Sequence, residues 1–355
     1  MTTINRDRPV LVTGATGYVA GWIVRKLLDE GFTVHATVRD PHDPEKLKYL
    51  NRLQENAPGL IRFFKADLLD EGSYAEAMEG CELVFHTASP FNVKVQDPVK
   101  ELIEPALLGT RNVLEQANRT PSVKRLVLTS SVAAIFGDNV DIRNTPAGMF
   151  TEEVWNTTST VDNQPYCYAK TLAEKEAWEI HGRQNRWDMV VLNPSVVIGP
   201  GINPFATSES FRIVKLFGDG TMMFGGSRWG MGVVDVRDLA DAHLKAGFTP
   251  EARGRYIVSG HNSDIMEMAA ALLPGFGKEY PIPRWALPKW LVWLFFPLMV
   301  KSTTRKMITR NVDLPWIGDN SKGRRELGLS YRPMQESMSE FFQQMVEHGV
   351  LRKAK

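Results

Sequence analysis

The sequence predicts an α/β fold, a doubly wound parallel sheet followed by a smaller, mainly helical C-terminal region. Two observations carry this. Short apolar strand signals alternate with helix signals through residues 1–200. The first strand, Val10-Leu11-Val12-Thr13, runs through Gly14-Ala15-Thr16-Gly17 into an apolar helical pattern from Tyr18. Strands separated by helices pair in parallel through right-handed connections and are covered on both faces.

The first unit sets a binding expectation. Gly14 can take the backbone angles of a tight turn, Gly17 lets the backbone approach a phosphate, and Ala20 keeps the helix close to the strand. The free N–H groups at the helix start then face a pyrophosphate. Thr13, Gly14, Thr16, Gly17, Tyr18 and Val19 are the expected dinucleotide contacts. The unit is the start of a Rossmann domain if a second strand follows, and 33–38 supplies one. That strand ends Val38-Arg39-Asp40. An acidic residue at this place would bond the ribose hydroxyls of NAD. Arg39 instead suits a 2′-phosphate, with Lys46 as a second charge, so NADP(H) is expected. The alternative places Asp40 inward and Arg39 outward. Asp67-Leu68, after the third strand, can hold the adenine edge.

Further strands read at 61–65, 83–87, 125–129 and 189–193, and helices at 18–29, 45–55, 71–78, 99–117 and 166–181. The strands are nearly continuous apolar runs, as doubly covered parallel strands should be. After Pro194 the pattern loosens. Residues 200–229, rich in Gly, Pro, Phe and Met, read as a lid or substrate loop. Asp235 and Asp238 read as caps for a helix over 239–247, and 255–259 reads as a strand. The expected division is a dinucleotide-binding domain over 1–200, with 232–262 returning to it, and a substrate-binding and capping region over 201–355.

The chain of 355 residues is long enough for two substructures. A net charge of +1 gives no electrostatic case for nucleic acid or an anionic membrane. Two cysteines make no disulfide framework, and the seven histidines form no spaced pair for a metal. The polar N-terminus lacks the apolar core of a signal peptide, so a cytoplasmic setting is expected. Residues 287–300 are very apolar but shorter than the about 20 residues a bilayer crossing needs. They read as a buried or pocket-capping helix, with peripheral membrane contact or a subunit interface as the other readings.

The chemistry expected sits on Tyr166-Cys167-Tyr168-Ala169-Lys170. Tyr166 and Lys170 are four apart and share one helix face. An ammonium near a phenol lowers its pKa and lets it exchange a proton with a carbonyl or alcohol oxygen. Ser131, ending Leu128-Thr129-Ser130-Ser131, would hold the same oxygen. Tyr168 is a rival without a lysine one turn on. Ser130 is a rival on the opposite face of the strand.

Together these stretches resemble the extended short-chain dehydrogenase/reductase family. Within it they resemble the branch of dihydroflavonol-4-reductases, cinnamoyl-CoA reductases and fungal aldehyde or methylglyoxal reductases. The resemblance rests on Val12 to Tyr18, Ala36 to Asp40, Ala66-Asp67-Leu68, His86-Thr87-Ala88-Ser89-Pro90-Phe91, Thr129-Ser130-Ser131, Tyr166 to Trp178 and Asn193-Pro194-Ser195-Val196. It implies NADPH-dependent reduction of a small-molecule aldehyde or ketone, reversible, by a monomer or homodimer. Ser131, Tyr166 and Lys170 would be the catalytic serine, tyrosine and lysine. Asn112 would support the lysine through water. Thr87, Ala88 and Ser89 would line the middle of the cofactor, and Pro194, Ser195, Val196 and Val197 the nicotinamide, with Lys170 on its ribose. Phe136 stands where plant flavonoid reductases carry an asparagine. With Phe91 it suggests an apolar pocket, and the apolar C-terminal stretch suggests room for a bulky, even steroid-like, substrate. Other readings remain: an NAD(P)-dependent sugar-nucleotide epimerase or dehydratase, a 3-beta-hydroxysteroid dehydrogenase-like enzyme, and a dinucleotide sensor with no chemistry.

Overall fold

The computed structural model describes residues 1–89, 95–299 and 303–352. Seven strands form one parallel sheet: β1 (Val10–Val12), β2 (Thr33–Val38), β3 (Leu60–Lys65), β4 (Leu83–His86), β5 (Arg125–Thr129), β6 (Asp188–Pro194) and β9 (Gly254–Val258), in the order β3-β2-β1-β4-β5-β6-β9. Val12 pairs with Ala36 on one side and Phe85 on the other. The strand order reverses between β1 and β4, which opens a crevice at their carboxyl ends.

Both faces of the sheet are apolar because successive side chains alternate. Val10, Val12, Leu83, Phe85, Val127, Val190 and Leu192 pack into one cluster with α1 (Tyr18–Asp29) and α7 (Val236–Phe248). Leu11, Val84, Leu126, Leu128, Met189 and Val191 pack into the other, with α4 (Glu104–Arg119) and α5 (Pro165–Gly182). The remaining helices of this half are α2 (Pro44–Glu55) and the single turn α3 (Ala75–Met78).

A second sheet, β10-β8-β7, joins β7 (Val196–Ile198), β8 (Gly230–Asp235) and β10 (His261–Asp264). It carries α6 (Glu209–Gly218), α8 (Ile265–Phe276) and α12 (Met334–Glu347), packed through Phe211, Phe217, Met268, Leu272, Phe341 and Phe342. The short helices α9 (Lys289–Met299), α10 (Arg305–Asn311) and α11 (Ser321–Leu327) complete the C-terminal region.

Several local expectations are corrected. The helix expected over 71–78 is only α3, because Ser73 and Asp67 hydrogen-bond each other's turn and Gly72 takes φ +82°. The helix over 99–117 opens with a π turn at Val99–Ile103. Residues 200–229 are not all loop: Ser208 caps α6, which buries Val214 and Phe217. Helix α7 starts at Val236 rather than 239, since Asp235 accepts the Arg237 N–H. Asp238, expected as a cap, instead receives the backbone N–H of Arg332 at 2.7 Å and its guanidinium. Helix α9 is not buried on all sides: Trp290, Trp293, Leu294, Phe295 and Leu298 are exposed.

One buried cation ties the amino ends of β5 and β6 to the connection between α7 and β9. The Arg125 side chain is fully buried, holds Asp188 through two hydrogen bonds of 2.7 and 2.9 Å, and donates to the carbonyls of Ala246, Gly247, Thr249, Pro250 and Ala252. Arg125→Met leaves those acceptors without a donor. It should lower stability by about 3–5 kcal/mol, read as a lower denaturant midpoint at unchanged slope. An unmoved midpoint would show that water replaces the guanidinium at no cost.

Candidate active site

The crevice is built first by the turn after β1. Gly14 sits at φ +63°, and a Cβ there would stand 3.0 Å from the Ala88 Cβ, so this backbone approach admits only glycine. Thr13 locks the two strand ends together. Its Oγ1 accepts the N–H groups of Thr87 (3.1 Å) and Ala88 (3.0 Å), and its O–H is left to donate to His86 Nδ1 at 3.0 Å. The Thr87 hydroxyl returns a bond to the Thr13 carbonyl. Burial, with the charge of Lys170 second, pushes His86 down to about 3, consistent with a neutral ring that accepts at Nδ1.

Helix α1 has Gly17 at its N-cap and no side-chain cap. Its first-turn N–H groups, those of Tyr18 and Val19 included, have no side-chain partner at the positive end of the helix dipole. Thr16 is exposed at the rim. The Tyr18 side chain turns away: its hydroxyl donates to the Gly199 carbonyl and its ring lies edge-on to Phe211. Burial raises its phenol well above the ordinary range. At the end of β2, Arg39 and Asp40 are both exposed, and Arg39 makes no hydrogen bond or ion pair among the described residues. Lys46 is exposed and paired with Asp43 at 2.9 Å. The Asp67 carboxylate accepts the Leu69 N–H, which holds the turn after β3.

These features fit a dinucleotide phosphate: a glycine turn with no room for Cβ, an uncapped helix start and a free guanidinium beyond β2. The strand end at Pro194 adds a polar atom. Ser195 donates its N–H to the Val258 carbonyl, yet its buried hydroxyl has no partner among the described residues. Val196 and Val197 follow in β7 and stay partly exposed.

The expected Ser131, Tyr166 and Lys170 come together. Ser131 caps a 3₁₀ turn, Val132–Ala134, by accepting the Ala133 N–H at 3.1 Å. That leaves its hydroxyl proton free, close enough to the Tyr166 phenol to favour its ionised form. Helix α5 places Lys170 one turn past Tyr166, with its Nζ 5.9 Å from the tyrosine ring centre and 2.9 Å from Ser89 Oγ. Tyr166 is 46% exposed. Partial desolvation by the surrounding protein, with Cys167 second, pushes its phenol up to about 12, and the Ser131 hydroxyl opposes this. Desolvation also lowers the Lys170 ammonium to about 8, while Glu174 raises it.

Ser130 points elsewhere, as strand alternation requires. Its hydroxyl donates to Glu174. Asn112 lies on α4, where its amide donates to the Leu68 carbonyl at 2.7 Å and thereby anchors the loop after β3; no bond joins it to Lys170 directly. Phe136 stacks on Phe150 at 4.8 Å and leans on Trp316, so it belongs to an aromatic cluster beside the crevice. Phe91 lies outside the described residues.

Sequence reasoning misses the group that holds the floor of the crevice. Glu174 is 1% exposed and lies one further turn along α5 from Lys170. It accepts from Arg255 Nε (2.6 Å), Asn193 Nδ2 (2.7 Å), Ser130 and the Trp178 ring N–H. Asn193 also donates to the Ser131 carbonyl at 3.0 Å. A cavity of about 20 Å³, room for a single water, lies behind Lys170 among His86, Thr110, Ser130 and Glu174. The one available signal is the run of 166, 170 and 174 on a single helix face.

Comparison with known proteins identifies the family. The model of the NAD dependent epimerase/dehydratase family matches residues 10–258. Cinnamoyl-CoA reductase CAD2 of Medicago truncatula is 41% identical over 280 residues, covering 77% of this chain and 83% of the relative. Cinnamoyl-CoA reductase 1 of Petunia hybrida is 35% identical over 347 residues, covering 96% and 93%. The crystal structure of the yeast methylglyoxal/isovaleraldehyde reductase Gre2 complexed with NADPH is 26% identical and superposes with a TM-score of 0.76, covering 96% of this chain and 99% of that one. The chain therefore belongs to the NAD dependent epimerase/dehydratase family, the extended short-chain dehydrogenases/reductases, and is an NAD(P)-dependent oxidoreductase.

Proposed function

We propose that this protein uses NADP(H) to reduce an aldehyde or ketone to an alcohol, reversibly, with Ser131, Tyr166 and Lys170 handling the proton. The observation that carries the reading is their convergence: the Ser131 hydroxyl lies beside the Tyr166 phenol and favours its ionised form, and Lys170 stands one turn away against Ser89. The names of the relatives support reduction at a carbonyl carbon: an aldehyde for the yeast enzyme and an acyl thioester, cinnamoyl-CoA, for the plant ones.

The bound reduced dinucleotide supplies two electrons and one hydrogen to the carbonyl carbon. Tyr166, with its phenol held near 12, is protonated at neutral pH and donates from its oxygen to the carbonyl oxygen. Ser131 can donate to that same oxygen, because accepting the Ala133 N–H leaves its hydroxyl proton free. The Lys170 ammonium stabilises the phenolate left behind. Residues 1–200 with 232–262 hold the dinucleotide in this reading, and 201–355 complete the substrate side. Partly exposed Phe136, backed by the buried Phe150 and Trp316, favours an apolar carbonyl compound. Exposed Arg39 takes the 2′-phosphate, with Lys46 secondary, since Asp43 already pairs with it.

Three measurements bear on this. Tyr166→Phe should cut kcat by about 10²–10⁴-fold with NADPH affinity kept; near-normal turnover would remove Tyr166 from the chemistry. Arg39→Asp should raise the NADPH Kd about tenfold to a hundredfold, equivalent to about 1.5–3 kcal/mol, and leave NADH almost unchanged. Equal losses for both would place Arg39 away from the phosphate. Lys170 is charged below about 8 and neutral above it. Glu174→Gln removes the charge that raises this value, so the alkaline limb of the kcat/KM profile should move to lower pH by about one unit. A uniformly lower profile with an unmoved limb would mean that Glu174 only holds the fold.

A further inference from the structure

Helix α9 is apolar on every side. Val292 and Phe296 turn inward onto Ile308 and Val312 of the α10 segment. Trp290, Trp293, Leu294 and Leu298, spaced as one helical stripe, face outward and are exposed. The patch extends beyond the helix. Trp285 donates its ring N–H to the Phe224 carbonyl at 2.9 Å, and both side chains are exposed, at 58% and 75%. Among the described residues, eight of the fifteen exposed large apolar side chains lie in this one region, at 223–224 and 285–298. Contiguous apolar surface of this kind marks a binding face.

Charge identifies the occupant. Residues 280–312 contain six Lys and Arg and no Asp or Glu, within a chain that balances 42 cations against 41 anions. Some of these cations are already used: Lys289 donates to the carbonyls of Thr309 and Val312, and Arg310 pairs with Asp138 and Asp141. Arg284 donates to the Gly277 carbonyl but stays exposed, as do Arg305 and Lys306, and the Arg305 guanidinium stands 4.7 Å from the Trp293 ring centre. Tryptophans and exposed cations around an apolar stripe match the boundary between acyl chains and anionic head groups. Crossing is excluded by length. Eleven residues of helix extend about 16 Å, about half the hydrocarbon thickness, and no helix among the described residues is long and apolar enough to span.

We propose that α9, with the neighbouring Phe224 and Trp285, is an interfacial anchor that lies in the surface of an anionic bilayer and seats the enzyme there. The helix lies in the membrane plane with its tryptophan stripe down, and Arg305 and Lys306 meet lipid phosphates at the edge. The anchor is independent of the reaction assigned above.

The test is co-sedimentation of the full chain with phosphatidylcholine vesicles and with phosphatidylcholine–phosphatidylserine vesicles. Binding should be about tenfold or more stronger on the anionic vesicles and weaken with salt, and the tryptophan emission should move to shorter wavelength on binding. Trp290→Ser with Trp293→Ser should abolish vesicle binding while circular dichroism and the unfolding midpoint stay as in the parent, because both side chains are already exposed. Arg305→Glu with Lys306→Glu should remove the preference for anionic lipid. No binding to either vesicle, or equal binding to both, overturns the proposal. So does a dimer in lipid-free solution that the double tryptophan variant dissociates, which would make a second copy of the chain the occupant.

Discussion

The organisation of the active cleft depends on one buried carboxylate, that of Glu174. A charge at the position of Glu174 is tolerated only if donors saturate it, and four do so. They come from β9, β6, the end of β5 and α5 itself. Arg255 and Glu174 are 81 residues apart in the chain, so the last strand of the sheet must return beside β6 for the carboxylate to be neutralised. Arg255 also lies 3.9 Å from the Trp155 ring centre and donates to the carbonyls of Glu152 and Val154, which draws the 152–155 segment onto the same point. The helix carrying Tyr166 and Lys170 is thus pinned at its middle, one turn beneath the reacting groups.

A second, neutral clamp works at the other side of the crevice. Thr13, with the strand ends of β1 and β4 on its hydroxyl, sets where the glycine turn meets the segment that Lys170 touches through Ser89. One clamp is built from hydroxyl and backbone and the other from charge. The difference follows from depth. Thr13 sits among backbone amides that are already good donors, whereas Glu174 sits behind the sheet end, where only side chains reach.

Much of this is legible in the chain, and the legible parts are the local ones. The strand–turn–helix around Gly14, the parallel sheet and the pairing of Tyr166 with Lys170 all rest on spacings within one or two elements. Glu174 has the same helical spacing from Lys170, but an acidic residue four positions past a lysine reads equally well as a surface ion pair. What distinguishes it is burial by residues from distant strands, which no local pattern reports. The start of α7 is placed three residues late because Asp238 reads as well as a cap as Asp235 does, and only the Asp235 side chain, accepting the Arg237 N–H, caps the helix. Helix α6 is hidden by the glycine- and proline-rich composition on either side of it. Apolar composition identifies α9 as a helix but predicts burial; whether a face is covered depends on neighbours. The net charge likewise conceals a cationic run that only a window over 280–312 exposes.

Gln164 stands at φ 58°, a left-handed conformation unusual for a residue with a side chain. It immediately precedes Pro165, the first residue of α5, and its amide donates to Asp138 at 3.1 Å. The buried Asp138 carboxylate is held in turn by Arg310 and Asn311 of α10. The residue that aims the tyrosine-bearing helix is therefore kept in its strained state by the far C-terminal part of the chain. The C-terminal region is consequently not an exchangeable cassette. A chimera that took its substrate side from a relative would keep the direction of α5 only if the donor supplied partners for Asp138, and modularity in this architecture stops at that carboxylate.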